Sequence, residues 1–169
     1  MKSFLKSVVF TLCILGFFVF VCLYVTGLSG GGGGGGGATG INPEAGEKIY
    51  WGDGQCHTCH SIGTSGSATR GPNQEGLAAR AEERAKEAGL SSGLEYLVES
   101  IVNPAAFVVE GYDNIMPKVY DAPIMLNREQ IQAVLTYLQT LGGESNIEAV
   151  ATFAEKIPEA SGDAVAPWV

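Results

Sequence analysis

Histidine is nearly absent from this chain of 169 residues, with only His57 and His60 present. A structural zinc site takes about four nitrogen or sulfur ligands. Outside residues 56–60 there is no histidine, and the only other cysteines, Cys13 and Cys22, lie in an uncharged N-terminal run. The sequence therefore disfavours a zinc site and treats those two cysteines as small apolar residues.

Basic residues are also scarce, with 10 Lys and Arg against 18 Asp and Glu and a formal net charge of -8. Because Lys2 and Lys6 precede the N-terminal apolar run, the remainder of the chain is more acidic still. This balance disfavours nucleic acid and anionic lipid as binding partners. An acidic surface suits a basic docking patch on a partner protein, or simply solubility, and the charge does not distinguish the two.

The sequence Cys56-His57-Thr58-Cys59-His60 has the C-x-x-C-H spacing of a covalent haem attachment site. Cys56 and Cys59 can each form a thioether to one vinyl group of a haem, and His60 then follows as an axial ligand of the iron. A redox C-x-x-C motif should open a helix after a strand. Here a helical pattern precedes the motif and a Gly/Ser loop follows it, so one covalently attached haem c is the better interpretation.

A sixth iron ligand has few sources in this chain. His57 is too close to His60 to reach the opposite face of a haem, which leaves Met116 and Met125 in the part of the chain after the apolar run. Met116 lies in a loop punctuated by glycine and proline, and Met125 fits ordinary core packing better. Met116 is the favoured ligand. An iron with an open face would indicate a haem enzyme or gas sensor instead, but no distal histidine is available for acid–base work.

These motifs, with Gly71-Pro72-Asn73 and the segment from Asn103-Pro104 to Met116-Pro117, resemble the class I c-type cytochromes over 42–141. The resemblance implies a compact all-α cytochrome c fold around one haem, with ligation by His60 and Met116 and transfer of single electrons rather than enzymatic catalysis. It also implies that the Pro72 carbonyl accepts a hydrogen bond from His60. A further implication is that Gly46 and Tyr50 let the first helix of the domain cross closely over the last.

Residues 1–29 are predicted to form an N-terminal membrane anchor. Val8–Leu28 is an uncharged run of 21 residues, which as a helix would be about 31 Å long, close to the roughly 30 Å hydrocarbon core of a bilayer. A cleaved signal peptide is the alternative, but its apolar region is shorter and ends at a small-residue cleavage site. Lys2 and Lys6 predict a cytoplasmic N-terminus and a haem domain on the periplasmic side of the inner membrane.

The remaining chain divides into three predicted parts. Residues 30–41, which include eight consecutive glycines, form a flexible linker with a reach of about 20 Å. This linker suits either a swinging tether or a passive spacer. Residues 42–142 form the monohaem domain, and residues 143–169 form an extension ending near Trp168 that either docks on a partner or frays.

Capping residues and apolar periodicity predict the helices of the domain and its extension. They cover residues 43–52, 75–88, 92–102, 127–141 and 147–157.

The expected function is electron transfer at a membrane, with donor and acceptor proteins as partners. The anchor, the linker and the motif from Ser100 to Pro117 resemble the monohaem cytochrome subunit of alternative complex III, a quinol-oxidising complex. A free-swinging tethered shuttle is the alternative within this class.

Overall fold

The computed structural model describes residue 6, residues 11–21 and residues 40–161. Residues 11–21 are helical, with apolar side chains such as Phe17 and Phe18 largely exposed. The rest of the predicted anchor, most of the glycine linker and residues 162–169 lie outside the described residues. Within the described part, no helix is long and apolar enough to cross a membrane. The N-terminal segment and the following domain are separate structural units.

Residues 40–161 form helices joined by loops, without a β-strand in this range. The helices are α1 (Pro43–Trp51), α2 (Leu77–Ala88), α3 (Gly93–Val102), α4 (Arg128–Thr140) and α5 (Ile147–Thr152), with 3-10 turns at Cys56–Thr58 and Ala154–Lys156. The prediction of an all-α fold is confirmed, and the predicted helix boundaries agree within two residues for the first four helices. The single helix predicted over 147–157 is wrong, because α5 ends at Thr152 and a separate 3-10 turn follows.

Local capping explains where α1 and α4 begin. The Asn42 side chain accepts a hydrogen bond from the Ala45 amide at 2.8 Å, and proline follows at the first helical position of α1. Asn127 and Gln130 form a reciprocal capping box at the start of α4. Because each cap satisfies amide groups that the helix itself cannot, these starts can be read from the sequence.

Helices α1 and α4 cross in very close contact at Gly46. A β-carbon at residue 46 would lie 2.0 Å from the Ala133 carbonyl oxygen and 2.7 Å from the β-carbon of Tyr137. Only glycine fits at this crossing. Tyr50, one turn further along α1, is almost fully buried and its ring packs edge-on against that of Tyr137. The close helix crossing expected from the resemblance is therefore present.

The C-terminal extension packs on the domain at least as far as residue 161. The side chains of Val150 and Ile157 are fully buried. The Arg128 Nε donates to the Ile157 carbonyl at 2.8 Å, and the Ser161 amide donates to the Tyr120 carbonyl at 3.0 Å. The extension is thus tied both to α4 and to the loop that contains Met116.

Two ion pairs add to this packing. Lys156 pairs with Glu95 of α3, and Arg128 pairs with Glu159, each at 2.8 Å. Both pairs are partly exposed to solvent, so each contributes little on its own.

Candidate haem site

The C-x-x-C-H motif begins with a 3-10 turn, which four residues separate from the end of α1. The amides of Cys59 and His60 both donate to the Cys56 carbonyl, at 3.2 and 3.0 Å. Burial raises the pKa of Tyr50 well above its ordinary value, so its phenol stays protonated and donates to the His60 carbonyl at 3.2 Å. The turn therefore presents both thiols and the imidazole to the same cavity.

The His60 ring is held on two sides. Its Nδ1 lies 2.9 Å from the Pro72 carbonyl oxygen. A β-carbon at Gly71 would lie 2.4 Å from the Cε1 of His60, so the ring packs directly on the glycine backbone. Burial lowers the pKa of His60, partly offset by the hydrogen bond to Pro72. The imidazole is consequently neutral at pH 7, which leaves Nε2 with a lone pair that can bind iron.

No disulfide joins the two motif cysteines. Burial raises the pKa of Cys56 to about 12. The Cys56 thiol also lies 3.6 Å from the Gly54 carbonyl oxygen. A protonated thiol is a poor nucleophile and a poor metal ligand. This environment of Cys56 does not suit a redox-active thiol.

The other histidine of the motif has a different environment. The Nδ1 of His57 lies 3.3 Å from the Tyr50 carbonyl oxygen, and its ring lies against that of Trp51 with the centroids 5.7 Å apart. His57 is not among the residues that line the cavity.

The motif opens onto a cavity of about 420 Å³. Its wall is mainly apolar and includes residues of all four helices α1 to α4 and of the loop between α3 and α4, with Tyr96, Leu97, Phe107, Ile131, Val134 and Leu138 among the lining side chains. Met116 lines this cavity and is half-buried. Met125 does not line it and is 40% exposed. Of the two methionines considered from the sequence, the fold brings Met116 to the same cavity as His60.

The family model described as cytochrome c matches residues 43–142, more than half of the chain. The chain belongs to the cytochrome c family. No curated protein matches the sequence. Membership implies covalently bound haem c, and Cys56, Cys59 and His60 of this cytochrome have the arrangement that attachment requires.

The lining of the cavity fits this cofactor in its chemistry. It is apolar over most of its surface, as the macrocycle requires, and the thiols and imidazole lie together in its wall. Arg70 and Arg84 also line it and can pair with the two haem propionates. Two buried polar atoms of lining residues, Gln74 Oε1 and Ser100 Oγ, have no hydrogen-bond partner within the described protein. The polar edge of a bound cofactor would supply hydrogen-bond partners for these two atoms.

Several of these lining residues carry no signal in the sequence pattern. Arg84 lies on a charged helix that looks like a solvated face, although its half-buried side chain reaches the cavity. Gln74 lies in a short polar segment after Pro72 yet is 9% exposed. The folding of the 61–76 loop brings Gln74 to the site, and the packing of α2 brings Arg84, so no local motif could have identified them.

Proposed function

We propose that this cytochrome is a single-electron carrier whose haem iron is ligated by His60 and Met116. The observation that carries the proposal is that both side chains line one cavity, whereas Met125 lies outside it. Cytochrome c domains are typical of electron-transfer proteins, and this coarser assignment agrees with the family. Methionine as an axial ligand raises the reduction potential, which suits a carrier late in an electron-transport chain.

The bound haem supplies an iron that gains or loses one electron. The residues of the protein would attach the haem, ligate its iron and orient the ligands. Cys56 and Cys59 would hold the macrocycle, His60 would offer Nε2 to the iron, and Pro72 would hold the proton at Nδ1 of the same ring. The apolar wall would limit the access of water to the bound group. With His60 and Met116 both bound, the iron would have no position left for a substrate.

Carbon monoxide binding tests this ligation. The reduced wild-type protein should not bind carbon monoxide, because Met116 occupies the position the gas would need. Met116→Ala should bind it readily, and the matched control Met125→Ala should behave as wild type. A redox titration of the wild type should follow a one-electron curve. Rapid carbon monoxide binding by the wild type would instead support a haem enzyme or gas sensor with open iron.

We further propose that the cytochrome is anchored in the inner membrane by residues 1–29, with residues 30–41 linking the anchor to a periplasmic haem domain. The support is the uncharged run Val8–Leu28 behind Lys2 and Lys6. In this arrangement it would serve as a subunit of a quinol-oxidising complex such as alternative complex III, passing electrons to a downstream carrier, oxidase or reaction centre.

Membrane extraction and purification test this second proposal. The full chain should remain with membranes after a high-salt wash, and a chain fused to a cleavable secretion signal at residue 41 should be recovered in soluble form. In mild detergent the full chain should co-purify with quinol-oxidising activity. Purification of the haem protein by itself, without other subunits or quinol-oxidising activity, would favour a tethered shuttle.

A further inference from the structure

The side chain of Gln74 lies against the haem-ligand histidine. Its Nε2 is 2.7 Å from the Nδ1 of His60. The backbone amide of Gln74 donates to the Ser61 carbonyl at 2.8 Å, which fixes the backbone at this point. Gln74 is only 9% exposed and lines the cavity. Its Oε1 is buried without a hydrogen-bond partner. A glutamine buried in this way costs stability unless its polar groups are used.

The protonation of His60 determines how the two side chains meet. A histidine that binds iron through Nε2 carries its proton on Nδ1, which then donates a hydrogen bond. The Pro72 carbonyl oxygen accepts from this position at 2.9 Å. A second donor, the NH2 group of Gln74, cannot bond to the same N–H. Because the oxygen and nitrogen of an amide are assigned from the hydrogen-bond network, the network here requires the Gln74 oxygen to face Nδ1.

We infer that Gln74 is a positioning residue that acts through His60, by accepting a second hydrogen bond from Nδ1–H alongside Pro72. The Nδ1–H group of His60 then donates a three-centre hydrogen bond to both oxygens. The NH2 group of Gln74 takes the position of the unpartnered oxygen in the wall of the cavity. This inference rests on the proposed ligation of iron by His60.

The second acceptor changes the electronic character of the ligand. Drawing the proton towards two oxygens raises the electron density on the imidazole and makes it a more basic ligand. A more basic ligand stabilises ferric iron more than ferrous iron. Gln74 therefore lowers the reduction potential and partly offsets the increase due to methionine ligation and burial.

The test compares holoproteins carrying Gln74→Met, which keeps the side-chain length, and Gln74→Leu. The matched control is Gln132→Met, which removes a glutamine of α4 that is 5% exposed but does not line this cavity. At a fixed applied potential, both Gln74 variants should raise the ratio of reduced to oxidised protein by about three- to tenfold, or roughly 30–60 mV for a one-electron couple. In the ferrous protein, the Nδ1–H proton resonance of His60 should move upfield. The control should change neither quantity.

The proton resonance separates this role from simple packing. Loss of stability alone, or a rise in potential with the Nδ1–H resonance unmoved, would overturn the inference. So would a fall in potential in both Gln74 variants. In the oxidised state, methionine sulfur bound to ferric haem iron gives a weak near-infrared charge-transfer band, and all of these proteins should retain it. If the wild type itself does not show that band but the Nδ1–H resonance shifts as expected, methionine ligation fails while the role of Gln74 stands. If His60 does not bind the iron, both fail.

Discussion

Replacing Gly46 with alanine tests whether the close crossing of α1 and α4 holds the haem domain together. The added methyl group would lie 2.0 Å from the Ala133 carbonyl oxygen and 2.6 Å from its carbonyl carbon. Carbon atoms in contact prefer separations of about 3.5–4.0 Å. The clash is with backbone, which has no alternative rotamer. The two helices must therefore move apart by more than about 1 Å.

The expected loss of stability follows from two opposing effects. Overpacking of a well-packed core costs about 1–3 kcal/mol and occasionally more, and a backbone clash this short belongs at the upper end. Alanine in place of glycine in a helix recovers about 1 kcal/mol. The free energy of unfolding should therefore fall by at least about 2 kcal/mol. For a folded unit of this size the melting temperature should fall by roughly 6–10 °C.

Guanidinium unfolding of the holoprotein, followed by haem absorbance and by tryptophan fluorescence, measures this loss. Glu47→Ala is the matched control, because residue 47 is the next residue of α1 and is exposed. The control should change the free energy of unfolding by less than about 0.5 kcal/mol. A similarly small change in Gly46→Ala would refute the close helix crossing.

Three further tests address other parts of the fold and the site. Gly71→Ala would put a methyl group 2.4 Å from His60 Cε1, so the ring should tilt and the haem absorption spectrum should change, and an unchanged spectrum would contradict this. Ile157→Ala removes a fully buried side chain and should cost about 2–5 kcal/mol in guanidinium unfolding. Ile147→Ala, at a position 43% exposed, should cost far less, and equal costs would show that the extension is not packed. Hydrogen bonds from Lys156 and from the Ser91 amide lower the pKa of Glu95 below its ordinary value of 4.5. The resulting stabilisation is complete above the unfolded-state pKa and is lost as the pH falls through the lower native value. The melting-temperature advantage of wild type over Glu95→Gln should therefore be present at pH 7 and shrink below pH 4.5, whereas an advantage that persists at low pH would contradict this.

The sequence was a good guide wherever the determinants are local. Asn42 followed by proline, and the pair Asn127 and Gln130, begin their helices through hydrogen bonds within a few residues. The C-x-x-C-H motif is likewise five consecutive residues. Such features need no knowledge of the rest of the fold, so the helices and the attachment motif could be predicted directly.

Features that depend on distant parts of the chain could not be predicted in this way. Gln74 reaches His60 only because the loop after the motif folds back on it, and Arg84 reaches the cavity from a helix with an ordinary charged pattern. The burial of Ile157 depends on the extension returning to α4. In each case the side chain's environment is set by tertiary packing rather than by its neighbours in sequence.

The most direct test of the central claim is the near-infrared spectrum of the oxidised protein, where methionine sulfur bound to ferric haem iron gives a weak charge-transfer band. We expect the band in wild type, its loss in Met116→Ala and its retention in Met125→Ala. If the wild type has no such band, or if Met125→Ala rather than Met116→Ala removes it, ligation of the iron by His60 and Met116 is wrong.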